Sequence, residues 1–380
     1  MHLQSLHPRK LIRIFGVTEF LRAVMLLVFA CSAALVSPSV RAAATAVDTV
    51  TLLLHGTNSS PTTWNDVVKS PLFANVCPIV RLGAAVTQVS RCYRYQFADR
   101  RVDNEVWTRG DGATFFQLGK EVQAALDNIA KKVSAKKVIL AAHSRGGLAA
   151  RAYLQSLTAL PKFKIALLTI GTPHQGTPFG RIGVWMRDNH YGPDDTIDDL
   201  RFVFSPSVRY MATDHKSPLQ PIKSAISAEI WNLNAGAKVL PNRVASFGVI
   251  YSTGLYLGQK GYGDLNLLDG VGAQAAAFLL PGSFDKMLGF TLRNIADINK
   301  RSLLPDTWRC DGDRQTRYPW ACDGDGIVPA VSQRLNLLPG FNRGTRPLRV
   351  AALTRVPHTA ETGRVTVIVN MLSQLQKDIR

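Results

Sequence analysis

The chain has 380 residues, 46% of them hydrophobic and 19% charged, a balance that supplies a large core and excludes a wholly disordered protein. Its 45 Lys and Arg against 27 Asp and Glu give a net charge of +18, which favours anionic surfaces such as lipid headgroups or envelope polymers. The basic residues are dispersed, with no Lys/Arg run and no aromatic-basic signature, so nucleic acid is not expected as a partner.

Residues 1–44 read as a signal peptide. Arg9, Lys10, Arg13 and Arg22 make a basic start, residues 23–36 a short apolar stretch, and Ala42, Ala43 and Ala44 a small-residue cleavage site. The apolar stretch is shorter than the ~20 residues of a membrane span. Cys31 would leave with this segment. Cys77, Cys92, Cys310 and Cys322 remain, an even set suited to an exported protein. Three pairings are possible; Cys77–Cys92 and Cys310–Cys322 are favoured because each closes a short loop.

Beyond the signal peptide, residues 49–54 read as a buried strand that runs into His55-Gly56-Thr57-Asn58. A second strand is expected over 91–97. Leu118, Val122, Leu126 and Ile129 recur at helical spacing and predict a helix over 116–133. Residues 137–142 are an apolar run that meets Ala142-His143-Ser144-Arg145-Gly146, and a helix-forming stretch follows from Gly147. This is a strand, a sharp turn and a helix, with a serine at the apex. Ala142 and Gly146 stand two residues either side of Ser144, where such a turn has no room for large side chains. The next strand, 163–170, ends in Gly171-Thr-Pro-His174-Gln-Gly.

Two long excursions follow. The first, 176–241, mixes Trp185, Tyr191, Phe202, Phe204, Tyr210 and Trp231 with polar residues and reads as a cap or lid insertion. A strand over 243–252 precedes the second, 253–321, which is rich in Gly and Leu. Asp323-Gly-Asp325-Gly-Ile-Val328 comes next, then a last strand over 349–356, a loop with His358, and a closing helix over 362–379. Alternating strands and helices argue for an α/β fold, a mostly parallel sheet with helices on both faces. Asp323-x-Asp325-Gly echoes the start of a calcium loop, but its twelfth position is Arg334 instead of Glu. Asp311 and Asp313 are the nearby carboxylates that could assist a metal; no metal or organic cofactor is expected.

Taken together, the Ala-His-Ser-Arg-Gly elbow, the His-Gly turn, the Gly-Thr-Pro-His turn and the Asp-Gly-x-Val loop resemble those of secreted bacterial lipases and esterases of the α/β-hydrolase superfamily. The two middle turns also resemble those of inositol-deacylase-like hydrolases. The matched motifs span His55 to His358. Ala142 departs by one methyl from the Gly usual at the first place of the elbow. The resemblance implies an α/β-hydrolase fold and a chain order of nucleophile, acid and histidine. It nominates Ser144 as nucleophile, Asp325 as acid and His358 as base. His358 is the only one of eight histidines in the last third of the chain. Asp264 and Asp269 are the competing acids, since many hydrolases keep the acid after the preceding strand. The backbone amides of Thr57 and Arg145 are the implied oxyanion donors. His55, His143 and His174 do not fit the order and read as packing or hydrogen-bonding residues.

The function expected is that of a secreted or periplasmic serine ester hydrolase acting on lipids or short esters through an acyl-enzyme. Three alternatives stand beside it: an extracellular polyester depolymerase with the same triad, an acyltransferase, and a non-catalytic envelope-binding protein on the same fold.

Overall fold

The strand that carries the His-Gly turn is an interior strand of the main sheet. In the computed structural model, which describes residues 45–177, 180, 204–213, 227–256 and 323–379, β1 spans Thr45–Leu54. It is flanked on both sides by parallel neighbours. Chain order continues with β2 (Ile79–Arg81) and β3 (Cys92–Gln96). A small antiparallel hairpin of β4 (Arg100–Val102) and β5 (Glu105–Trp107) follows. Then come β6 (Val133–His143), β7 (Lys164–Ile170) and β8 (Ser246–Thr253). The short β9 (Leu255–Tyr256) pairs antiparallel with β10 (Asp323–Gly324), and β11 (Leu348–Thr354) is last.

Seven of these strands form one all-parallel sheet in the order β11-β8-β7-β6-β1-β3-β2. The chain starts near the middle, builds outward to one edge, returns to β6 and then builds to the other edge. With helices on both faces this is the mostly parallel α/β sheet expected from the sequence.

Alternation along β1 explains the two cores. Leu52 and Leu54 enter the core on one face, with Tyr93, Tyr95, Leu140 and Leu167. Helices α1 (Phe115–Ala130) and α2 (Arg145–Ser156) cover that face through Leu118, Val122, Leu126, Ala149 and Tyr153. Leu53 enters the core on the other face, beneath Trp64, Val67, Ile368, Met371 and Leu375. Ala228–Ala235 forms α3, and the closing helix α4 spans Val365–Asp378. Thr114 and Gln117 cap α1 reciprocally. At Gly119 α1 approaches α2 so closely that a Cβ would sit 2.7 Å from the Tyr153 amide nitrogen.

Several boundaries differ from the sequence reading, and three have a clear local cause. The helix expected to reach residue 133 stops at Ala130, and Val133 already pairs with Thr45 as the start of β6. Val133 lies four residues beyond Ile129, on the same helical stripe, so its spacing mimics a further turn; pairing with β1 decides otherwise. The strand expected from 243 starts at Ser246, because Leu240–Arg243, with Pro241, is a helical turn. The closing helix starts at Val365, since His358–Gly363 is a separate 3₁₀ helix.

Of the expected cap, the described parts are 176–177, 180, 204–213 and 227–241. Ile230 and Leu233 of α3 join Met211 in packing against Phe115, Leu148 and Ala152 on α1 and α2. The rest of the cap, nearly all of the second excursion, the signal peptide, Cys310, Cys322, Asp264, Asp269, Asp311 and Asp313 lie outside the described residues. No helix among the described residues is long and apolar enough to cross a membrane.

Cys77 and Cys92 form a disulfide, fastening the first residue of β3 to the loop before β2. The bridge closes a separation of 15 residues, worth about 3 kcal/mol in the chain-entropy account. Cys77→Ala should therefore lose about 2–4 kcal/mol of stability in urea unfolding, and reductant should destabilise the parent protein but not further destabilise this variant through that bond.

Candidate active site

Ser144 stands between β6 and α2 with φ 55° and ψ −131°, a backbone shape that side chains other than glycine rarely adopt. Its amide donates to the Ile170 carbonyl at 2.8 Å, and the Gly147 amide donates to the Ser144 carbonyl at 3.0 Å. The turn depends on close approach. A Cβ at Gly146 would lie 2.7 Å from the His55 carbonyl oxygen, and one at Gly56 would lie 2.6 Å from Ser144 Cβ. The His-Gly turn at the end of β1 thus abuts the serine directly.

His358 arrives from the loop after β11 and Asp325 from the loop after β10. His358 Nε2 lies 2.8 Å from Ser144 Oγ, and His358 Nδ1 lies 2.7 Å from Asp325 Oδ2. The His358 amide also donates to the Asp325 carbonyl at 3.1 Å. One hydrogen-bonded chain therefore runs from hydroxyl through imidazole to carboxylate, and all three residues are buried.

Asp325 is held by more than the histidine. Oδ1 accepts from the Ile327 and Val328 amides at 2.8 and 2.7 Å. Oδ2 accepts from Gln333 Nε2 at 3.0 Å. Gln333 in turn donates to the Val328 carbonyl and accepts from the Ser252 amide of β8. Four donors suit an ionised carboxylate in a dry place. The loop itself is fastened by Thr177, whose hydroxyl donates to the Ile327 carbonyl. The Gly-Thr-Pro-His turn adds bonds from the His174 and Gln175 amides to Ser332.

Of the nominated oxyanion donors, Arg145 opens α2, where helix geometry leaves the first amides free. Thr57 lies between Gly56, which touches Ser144, and Asn58, whose amide donates to Asp111 Oδ2 at 3.1 Å. Sequence reasoning missed Asp111. Its carboxylate pairs with the fully buried Arg145 guanidinium at 2.8 Å, and that guanidinium also donates to the Gly110 and Arg109 carbonyls. The arginine beside Ser144 thus holds, through Asp111, the loop that carries Thr57.

The other described histidines, His55, His143 and His174, are neutral. His55 donates from Nδ1 to the Gly56 carbonyl and accepts the Phe97 amide at Nε2. Burial pushes it down to about 3. His143 stacks on His358 with ring centroids 4.8 Å apart and donates from Nε2 to the His358 carbonyl at 3.0 Å. Burial, and second the His358 charge, lower it to about 3. His174 accepts from Arg151 at Nδ1, so its Nε2 donates to Thr169 Oγ1; burial and then the Arg151 charge hold it well below the usual value.

A second carboxyl was also missed. Glu361, fully buried, lies with Oε2 3.3 Å from His143 Nε2 and 3.5 Å from His358 Nδ1. With His143 and His358 it is the only group of three metal-ligating side chains found among the described residues. His358 Nδ1 is already engaged by Asp325 at the shorter distance, so the set suits hydrogen bonding better than a resident metal.

No protein-family model matches the chain, and no curated protein matches it. Among solved structures, it is similar to the product of the lin2722 gene from Listeria innocua, at 11% identity and a TM-score of 0.45, covering 86% of this chain and 95% of that one. It is also similar to the mature form of the lipase BlEst2 from Bacillus licheniformis, at 14% identity and a TM-score of 0.44, covering 87% and 92%. A third is EstA from Clostridium botulinum, at 12% identity and a TM-score of 0.42, covering 87% and 88%. These likenesses are distant, and the site is read from its own geometry.

Asp111→Asn keeps the shape of the side chain and removes its charge. It leaves Arg145 buried without a counter-ion, so it should cost about 3–5 kcal/mol in urea unfolding.

Proposed function

We propose that this protein is a serine carboxylic-ester hydrolase of the lipase/esterase kind. The observation that carries the proposal is the unbroken chain from Ser144 Oγ to His358 to Asp325 at 2.8 and 2.7 Å, mounted on a strained turn. Strain at such a position presents the hydroxyl at the apex, where a substrate can meet it.

In the reaction, Ser144 Oγ attacks the acyl carbon while His358 Nε2 takes its proton. The ester π electrons move onto the carbonyl oxygen, and the amides of Thr57 and Arg145 face the charge that develops there. Each such donor is worth about 3 kcal/mol to the transition state. Asp325 holds His358 in the tautomer that leaves Nε2 free to accept, and it stabilises the imidazolium. His358 then returns the proton to the departing alcohol oxygen. Water, deprotonated by the same nitrogen, releases the acid and restores Ser144. The neutral His143 adds no second positive charge beside the imidazolium.

We further propose that the enzyme acts outside the cytoplasm, with residues 1–44 removed and a second disulfide between Cys310 and Cys322. Intact mass before and after reduction tests this. The mature chain should begin between Ala43 and Val47 and gain the mass of four hydrogens on reduction. Retention of Met1, or four free thiols, would exclude it.

A phosphonate that reacts with activated serines should label the protein at Ser144 alone. Ser144→Ala should fold normally and lose ester hydrolysis by several orders of magnitude, and His358→Ala should fail about as badly because the two act as one unit. Labelling at a different serine, or full activity in Ser144→Ala, would sink the reading.

A further inference from the structure

The reaction proposed above leaves one buried carboxyl beside the base without a task. Glu361 lies three residues beyond His358 on the same 3₁₀ helix. Its Oε1 accepts the Ser252 hydroxyl at 2.6 Å. Its Oε2 lies 3.5 Å from His358 Nδ1, the nitrogen that Asp325 engages at 2.7 Å. Two carboxyls therefore converge on one ring nitrogen. Space for the second is provided by Gly171 (φ 55°), where any Cβ would overlap the Glu361 carboxyl.

The two carboxyls are not equivalent. Asp325 has four hydrogen-bond donors, and Glu361 has one close donor, the Ser252 hydroxyl. The groups that face Glu361 are His143 at the end of β6, His358 on its own helix, Asp325 on the acid loop, Ser252 on β8 and the Gly171 backbone after β7. Among the described residues no lysine or arginine pairs with it. Two carboxylates this close in a dry site do not both ionise. Asp325 therefore keeps the charge and Glu361 keeps a proton, consistent with burial and the Asp325 charge raising Glu361 well above the ordinary carboxylate range.

We propose that Glu361 is a second positioning acid of this site, able to hold the Nδ1–H of His358 when Asp325 does not. The inference rests on the Ser144–His358–Asp325 reading given above. Taking away the Asp325 charge removes one of the two causes that keep Glu361 protonated. It also frees the nitrogen that Glu361 already approaches. A shift of under about 1 Å brings Oε2 to hydrogen-bond distance, and Ser252 can go on supporting Oε1.

The nature of the replacement at Asp325 then decides the outcome. Asparagine would keep its oxygen on the Ile327 and Val328 amides and turn its NH₂ toward His358, which blocks Glu361 and favours the wrong tautomer. Alanine clears the nitrogen. If Asp325 were the sole acid, asparagine and alanine would both be poor. If Glu361 can substitute, alanine is the better of the two.

The test compares Asp325→Ala and Asp325→Asn, each with and without Glu361→Gln, in the full chain. Ester hydrolysis and the rate of phosphonate labelling at Ser144 are both followed across pH. Asp325→Asn should lose about 10⁴-fold, the scale of a triad histidine in the wrong tautomer. Asp325→Ala should stay within about 100-fold of the parent, well short of that loss. Its rate should rise with pH as Glu361 loses its proton. Adding Glu361→Gln should abolish that pH dependence and bring the rate down to the asparagine level. Asp325→Ser, whose hydroxyl can still serve the loop amides, takes the place of alanine if that variant does not fold. The proposal is overturned if the alanine or serine variant is as slow as its Glu361→Gln double, or if Glu361→Gln leaves its pH profile unchanged. Failure of the parent itself to label at Ser144 would overturn the ester-hydrolase reading as well, and so separates the two.

Discussion

The left-handed backbone at Ser144 is unfavourable by about 1–3 kcal/mol for a residue with a side chain, and the rest of the site depends on its being held. What holds it is contact on three sides. Ile170 of β7 accepts its amide, the end of β1 presses Gly56 and the His55 carbonyl against the turn, and α2 begins at once. Any side chain at Gly56 or Gly146 would push these pieces apart. The interior position of β1, between β6 and β3, is therefore what brings the His-Gly turn to the serine. The two features are products of one packing arrangement.

Charge around the serine is distributed with the same economy. Three histidines lie buried near it or in its supporting loops and are kept neutral by desolvation, while His358 is the ring that bonds both Ser144 and Asp325. On the other side of the serine, Arg145 and Asp111 form a buried ion pair. Such a pair adds little net stability, because desolvation offsets attraction. Its value lies in direction: the carboxylate must face both Arg145 and the Asn58 amide, which fixes the loop between β1 and the first helical turn.

Much of this was legible because it is written in short, local signals. Gly146 beside Ser144, the His-Gly pair after an apolar strand, the glycines flanking Asp325 and the isolated His358 each mark a backbone requirement or a vacancy in a known order. The missed residues left no such mark. Glu361 sits in Ala-Glu-Thr-Gly and Asp111 in Gly-Asp-Gly, both of which read as exposed polar loops. Each is buried only because a distant segment closes over it: β8 and the turn after β7 for Glu361, Arg145 and Ser207 for Asp111. The one available hint was spacing, since Glu361 falls three residues after His358. Gln333 was likewise invisible, because its partners are β8 and the acid loop. The helix boundary at Ala130 failed for a related reason. Val133 fits the apolar stripe of α1, and the preference for β1 is set by a partner more than 80 residues away, Thr45 beside Val133.

The separation of Ser144 from His358 along the chain, 214 residues, has a consequence for how the protein comes into being. β6, α2 and the elbow emerge early in synthesis and can pack on β1. Asp325 and His358 come much later, 33 residues apart, and β11 must dock at the sheet edge before His358 reaches the serine. Closing so long a loop is slow and comes late. A nascent or half-folded chain therefore carries the strained turn without the histidine that bonds its serine. On the ester-hydrolase reading proposed above, the capacity to attack an ester waits on the seating of the last strand, so folding itself delays the chemistry.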